Sequence, residues 1–120
     1  MIRLFAAFCI GALAVTFSFA AQTVQKGEFA ANSATEGWTL HSGSGVRTHV
    51  IFVQFEKPFK TPPAILLALT GCDIVNAEGG IRIGMKAEKV STTGFILKIW
   101  TWQDAKVNGV DGNWLAVGDQ

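Results

Sequence analysis

What this sequence is short of narrows its function as much as what it carries. It has no tyrosine, only two histidines and only two cysteines in 120 residues. His41 and His49 offer at most one general base, and neither stands at a spacing that builds a nucleophile or a metal site. No pair of carboxylates stands out from singly spaced surface charges. The residues therefore supply no catalytic constellation, no metal site and nothing that would require a cofactor, and the chain reads as a non-enzyme.

An excess of one charge is missing too. Ten basic residues face nine acidic ones, and the lysines and arginines are scattered singly along the chain. A nucleic-acid binder needs a basic stripe that displaces counterions from phosphates, so a nucleic-acid partner is not expected.

The long hydrophobic run lies at the start. Arg3 precedes an uncharged apolar stretch over residues 4–17, and Ser18 and Ala20 place small side chains before a cut ahead of Ala21. That is the layout of a secretory signal. The run is shorter than the roughly 20 apolar residues a bilayer core demands, and it gives way to polar sequence at Gln22, so no transmembrane anchor is expected. We expect residues 1–20 to be a signal peptide and residues 21–120 to be one domain, secreted or periplasmic. Loss of Arg3 would leave nine basic residues against nine acidic ones, a formally neutral product. Cys9 would leave with the peptide. Cys72 then has no intrachain partner, and its place after the apolar run of residues 64–69 predicts burial.

The rest of the chain has no sustained helical period. Residues 22–29 and 37–40 read as short strands or edge pieces on either side of a small, polar segment, and residues 41–46 (HSGSGV) as a Gly/Ser loop. From Thr48 the pattern alternates, with Ile51, Val53 and Phe55 on one face, until Lys57, Pro58, Lys60, Pro62 and Pro63 force a turn. Residues 64–69 are almost continuously apolar, which predicts a strand covered on both faces. A loop follows at residues 76–80. Ile81, Ile83, Met85 and Ala87 then alternate with Arg82, Gly84, Lys86 and Glu88. After a turn at residues 91–94, Phe95, Leu97 and Ile99 face one way and Ile96, Lys98 and Trp100 the other. Residues 113–117 form the last strand. Between them, Asn108-Gly109 and Asp111-Gly112 read as turns. Short strands joined by turns, with no linker or repeat, predict an all-β, single-domain antiparallel β-sandwich.

Four tryptophans are many for a chain of this size. Trp38 and Trp114 lie in strand-like segments and are expected in the core. Trp100 and Trp102 share one face at the end of a strand, and Trp102 opens a polar loop containing Gln103, Asp104, Lys106 and Asn108. A ring beside amides and a cation suits a sugar: it covers the apolar C–H face of a pyranose while planar side chains pair with the hydroxyls.

The order of residues then becomes specific. Phe55 with Lys57-Pro58-Phe59 and Pro62-Pro63, Gly71, Asp73, Ile81-Arg82, the segment VSTTGF at residues 90–95, Thr101-Trp102, Lys106-Val107 and Trp114-Leu115 together resemble the H-type lectin domain. This is the domain of the garden-snail agglutinin and of the discoidin C-terminal region, and the resemblance spans about residues 37–118. It implies a six-stranded antiparallel sandwich that forms a homotrimer and binds glycans with terminal galactose or N-acetylgalactosamine, without a metal, at sites on the edges between protomers. It also implies roles for Arg82, as a guanidinium fork for hydroxyls, and Trp102, as the apolar wall. Gln103 and Asn108 stand where the snail lectin has a histidine and a tyrosine. Ser42 and Ser44 lie near the position of its sugar-binding aspartate. Lys60 and Ile99 occupy the places of its cysteine pair, so disulfide-linked hexamers are not implied. The alternative reading is a structural or adhesion module that keeps the trimeric sandwich and has lost sugar recognition.

Overall fold

The computed structural model describes residues 22–75 and 80–120. The signal peptide expected at residues 1–20, and most of the loop expected at residues 76–80, lie outside the described residues. Six strands are formed: β1 (Thr23–Asn32), β2 (Arg47–Gln54), β3 (Ala64–Val75), β4 (Gly84–Glu88), β5 (Gly94–Thr101) and β6 (Lys106–Gly118). They make two antiparallel three-stranded sheets, β1-β6-β3 and β2-β5-β4, packed as a sandwich. The expected fold class holds.

Alternation in β5 is the clearest case of sequence dictating structure. Phe95, Leu97, Ile99 and Thr101 are buried, while Ile96, Lys98 and Trp100 face outward. The turn before it is closed by Ser91, whose Oγ accepts the N–H groups of Thr93 and Gly94 at 3.2 and 3.3 Å. From the other sheet, Phe29, Ala31, Val107, Val110, Trp114 and Ala116 complete the core. Each large side chain buried there contributes about 2 kcal/mol. The ion pair of Lys98 with Glu88, at 3.7 Å and over a third exposed on both sides, contributes about 0.5 kcal/mol. Apolar packing therefore holds the sandwich together.

Several expectations are corrected. Asn108-Gly109 and Asp111-Gly112 are not turns: both lie inside β6, paired with β1 on one side and β3 on the other. Gly112 stands there because a Cβ would overlap the Phe29 ring and the Ala68 carbonyl oxygen. The glycine makes room for an aromatic neighbour, so a turn-like dipeptide sits in a central strand. β3 is covered on one face only: the outward Leu66 is 57% exposed, and Leu69, register partner of the inward Gly112, is itself 38% exposed at the sheet edge. Cys72 is exposed rather than buried. A bulge between Leu69 and Gly71 separates it from the apolar run, and β3 is an edge strand, so that run says nothing about its surroundings.

Residues 37–40 form a turn, not a strand, yet Trp38 and Leu40 are buried. Trp38 donates its indole N–H to the Val107 carbonyl at 2.9 Å, and Val107 N–H donates to Leu40 O at 2.9 Å, which plugs one end of the sandwich. His49 packs beneath this plug, 5.1 Å from the Trp38 ring. β4 starts only at Gly84: Ile83, Met85 and Ala87 pack on the core, while Ile81 is 63% exposed.

The cost of filling the space at Gly112 is testable. Gly112→Ala should destabilise the folded chain by about 2 kcal/mol, the usual penalty for overpacking a closed site. Urea unfolding of both proteins measures this, and an unchanged midpoint would remove the packing explanation for the glycine.

Candidate functional site

One end of the sheet β2-β5-β4 brings together most of the residues picked out by sequence. β5 ends at Thr101, whose register partner Arg47 begins β2. Thr101 is fully buried and its Oγ1 donates to the Arg82 carbonyl at 2.6 Å, which ties the segment ahead of β4 to the end of β5. Trp102 follows one residue past the strand, half-buried, on the same parity as the outward Trp100. Gly84 is the register partner of Trp100 and the last pair of that ladder, so Arg82 and Trp102 both lie just beyond its end, linked through the bond from Thr101 to the Arg82 carbonyl.

The Gly/Ser loop folds onto the same end. Gly43 and Gly45 both take positive φ, 76° each, a conformation that side-chain-bearing residues rarely adopt. Gly45 N–H donates to the Gln103 carbonyl at 3.0 Å. Gln103 is itself left-handed, with φ of 56°. Such a residue costs about 1 kcal/mol and persists where its surroundings hold it.

Arg47 supplies that hold. Its Nη1 donates to the carbonyls of Gly45 at 2.6 Å and Gln103 at 2.7 Å, and its Nη2 donates to the carbonyl of Ala105. Lys106 Nζ donates to the Gly43 carbonyl from the start of β6. Two cations thus pin residues 41–46 against residues 102–105 through backbone oxygens. The side chains of Ser42, Ser44 and Gln103 are left exposed at the surface. Sequence reading missed Arg47. The available signal was a long, fork-shaped donor directly after a Gly/Ser loop whose carbonyls have no strand to pair with.

Ser42, Ser44, Arg82, Trp102 and Gln103 therefore meet at one end of one sheet. Asn108 stands apart, in β6 of the other sheet, where its carbonyl accepts the Ser33 N–H at 2.8 Å. Among the described residues no group of three or more His, Cys, Asp or Glu side chains could hold a metal ion. Neither histidine joins a nucleophile: His49 lies in the core and His41 is exposed at the mouth of the loop. The chemistry on offer is a ring, a guanidinium, an amide and hydroxyls.

The model of the H-type lectin domain matches residues 50–117. The chain belongs to that family. Discoidin-2 of Dictyostelium discoideum is 30% identical over 100 residues, 83% of this chain and 37% of that protein. A protein of Fuscovulum blasticum described as ATP synthase subunits region ORF 7 is 30% identical over 83 residues, 69% of this chain and 71% of its own length. The solved structure of wild-type discoidin II from Dictyostelium discoideum superposes with a TM-score of 0.74 at 29% identity, covering 86% of this chain and 39% of that one. The chain thus spans little more than a third of these discoidins.

Membership places the chain in a family of lectin-type, carbohydrate-binding domains. The matched span includes Arg82, Trp102, Gln103 and Asn108 but leaves out Ser42 and Ser44, as well as β1, which completes the sheet beside β6. No helix among the described residues is long and apolar enough to cross a membrane.

If Arg47 is the clamp, Arg47→Met should loosen two loops while leaving the ladders intact. Amide hydrogen exchange should rise at least tenfold in residues 41–46 and 102–105, with a stability loss of about 2 kcal/mol from the orphaned carbonyls. Unchanged protection in both loops would show that Arg47 does not hold them.

Proposed function

We propose that this chain is an exported, metal-independent lectin that holds a terminal galactose or N-acetylgalactosamine and acts as a homotrimer. The observation that carries the reading is the convergence of Arg82, Trp102 and the pinned Gly/Ser loop at one sheet end. The Trp102 ring suits the apolar C–H face of the sugar, and the Arg82 fork suits a pair of adjacent hydroxyls. Gln103, Ser42 and Ser44 add neutral donors and acceptors around the rim. Asn108, on β6 of the other sheet, would join a site on the edge between protomers from a neighbouring copy.

The trimer is supported by the outward face of the sheet β1-β6-β3. Val24, Leu66 and Leu115 are 56%, 57% and 37% exposed there. A groove of about 720 Å³ runs between Leu66, Ala68 and Leu115, with Lys26 and Glu28 along its flank. A contiguous apolar sheet face on so small a domain marks an interaction surface. Around a three-fold axis it would bury one copy against the next. A single shallow site worth about 4 kcal/mol binds near the millimolar range. Three sites on one rigid body, facing a surface dense in glycans, gain about a hundredfold or more through effective concentration. Export, carried by the layout of residues 1–20, would deliver the domain to such surfaces.

The alternative of a trimeric adhesion module without sugar recognition rests on the serines that stand in place of a carboxylate at residues 42 and 44. A glycan array separates the two. The mature protein, with an intact mass starting at Ala21, should retain galactose-type glycans, and Arg82→Ala or Trp102→Ala should each weaken binding at least tenfold. No retention on the array, with the trimer intact, selects the adhesion module.

The assembly has its own test. Leu66→Lys places a charge in the apolar face and should convert the trimer to monomer by light scattering, leaving the monomeric fold by circular dichroism. A wild-type protein that is already monomeric at micromolar concentration would sink the trimer.

A further inference from the structure

The outward face of the sheet β2-β5-β4 carries features that the terminal-sugar site does not use. Trp100 is turned away from the core by the alternation of β5, and its indole stays partly in contact with solvent. Its register partner on β4 is Gly84. A Cβ at Gly84 would overlap three atoms of the indole, so the ring lies across β4 with one face on the glycine backbone and the other turned outward. The result is a flat aromatic platform two residues before Trp102, about 7 Å away for a near-extended chain.

The next row holds an unbalanced charge. Lys98 and Lys86 stand directly opposite each other on β5 and β4. Like charges in that position repel. Glu88 takes one of them, pairing with Lys98 at 3.7 Å, and Lys98 Nζ also lies 5.5 Å from the Trp100 ring centre. Lys86 is exposed and has no ion pair among the described residues. An anion bound beside Trp100 would relieve that repulsion.

We infer that Trp100 forms a second saccharide subsite, stacking the sugar that follows the terminal one, and that Lys86 receives an acidic substituent on that sugar. The preferred ligand is then an oligosaccharide with a carboxylate or sulfate on its second unit. The inference rests on the reading that Arg82 and Trp102 hold the terminal sugar. It adds the direction in which the glycan runs, outward across Gly84 and away from the loops. The platform needs no movement of the fold, because Gly84 already sets the ring flat.

Titration calorimetry with three probes tests it: N-acetylgalactosamine, a neutral disaccharide carrying it at the non-reducing end, and that disaccharide with a sulfate ester on the second ring. The neutral disaccharide should bind about fivefold tighter than the monosaccharide, the size of one stacking contact. The sulfated one should gain about threefold more at low salt, and this part should fade as salt rises. Trp100→Leu, which still covers Gly84, should erase the disaccharide gain and leave the monosaccharide unchanged. Lys86→Gln, at an exposed position, should erase only the sulfate gain. Equal binding of all three probes by the wild type overturns the inference, as does a Trp100→Leu protein that weakens all three alike. Failure of the underlying reading looks different: sulfated disaccharide bound through Trp100 with no detectable monosaccharide binding keeps the platform and removes the role of Arg82 and Trp102. Binding of none of the three overturns both.

Discussion

The two sheets share no ladder, so side-chain contact does most of the work of keeping them in register. The heaviest of these contacts is aromatic. Phe95 from β5, Phe55 and Phe59 from the segment after β2, and Trp114 from β6 form a cluster with ring centres 5.1–5.9 Å apart in tilted and edge-on pairs. Such arrangements add about 1 kcal/mol per pair beyond the area they bury. With one cysteine between residues 21 and 120 there is no disulfide to share the load, and surface ion pairs are too weak to substitute. Everything else, including where the loops leave the sheets, follows from the cluster holding β5 over β6.

That dependence explains which parts of the fold were legible. Phe95, Leu97 and Ile99 must meet the opposite sheet, so the period of two is written into β5 without interruption. β6 hid its length because it is the central strand of its sheet and must admit Phe29; the glycine that does so sits in a dipeptide that elsewhere marks a turn. Residues 64–69 read as covered on both faces because an unbroken apolar run does not show that one of its faces stays open, as the exposed Leu66 does. Trp38 belonged to the core as expected, but as a plug in a turn, since its indole N–H meets a carbonyl that only tertiary structure brings near. Cys72 was misread for the opposite reason: chain neighbours were used to infer surroundings, and a bulge intervenes.

The site was legible in a different way. Arg82 and Trp102 stood out through an ordered set of residues rather than through periodicity; the first lies two residues ahead of β4 and the second one residue past β5. Arg47 did not stand out, because it binds backbone oxygens and its partners carry no distinguishing side chains. Its role is nonetheless the more general one. Rigid loops lose less entropy on binding, and a loop fixed by three carbonyl contacts on one guanidinium is ordered before any ligand arrives.

Pinning also bears on the missing carboxylate. A lectin loop that recognises sugar through an aspartate gains a charged acceptor, and a charge-assisted hydrogen bond is roughly twice as strong as a neutral one. Here the same region presents only Ser42 and Ser44, so on the proposed reading a single sugar unit meets neutral groups and one cation. The contacts available on one ring cannot recover that loss. Contacts further along a glycan can, and the two outward faces of the sandwich divide the task. The face of β1, β6 and β3 exposes Val24, Leu66 and Leu115, the patch on which the proposed trimer rests. The face of β2, β5 and β4 holds a flat indole and an exposed lysine in line with the terminal site, which lengthens each site. On the proposed reading, weak recognition of one sugar is compensated by number on one side and by reach on the other.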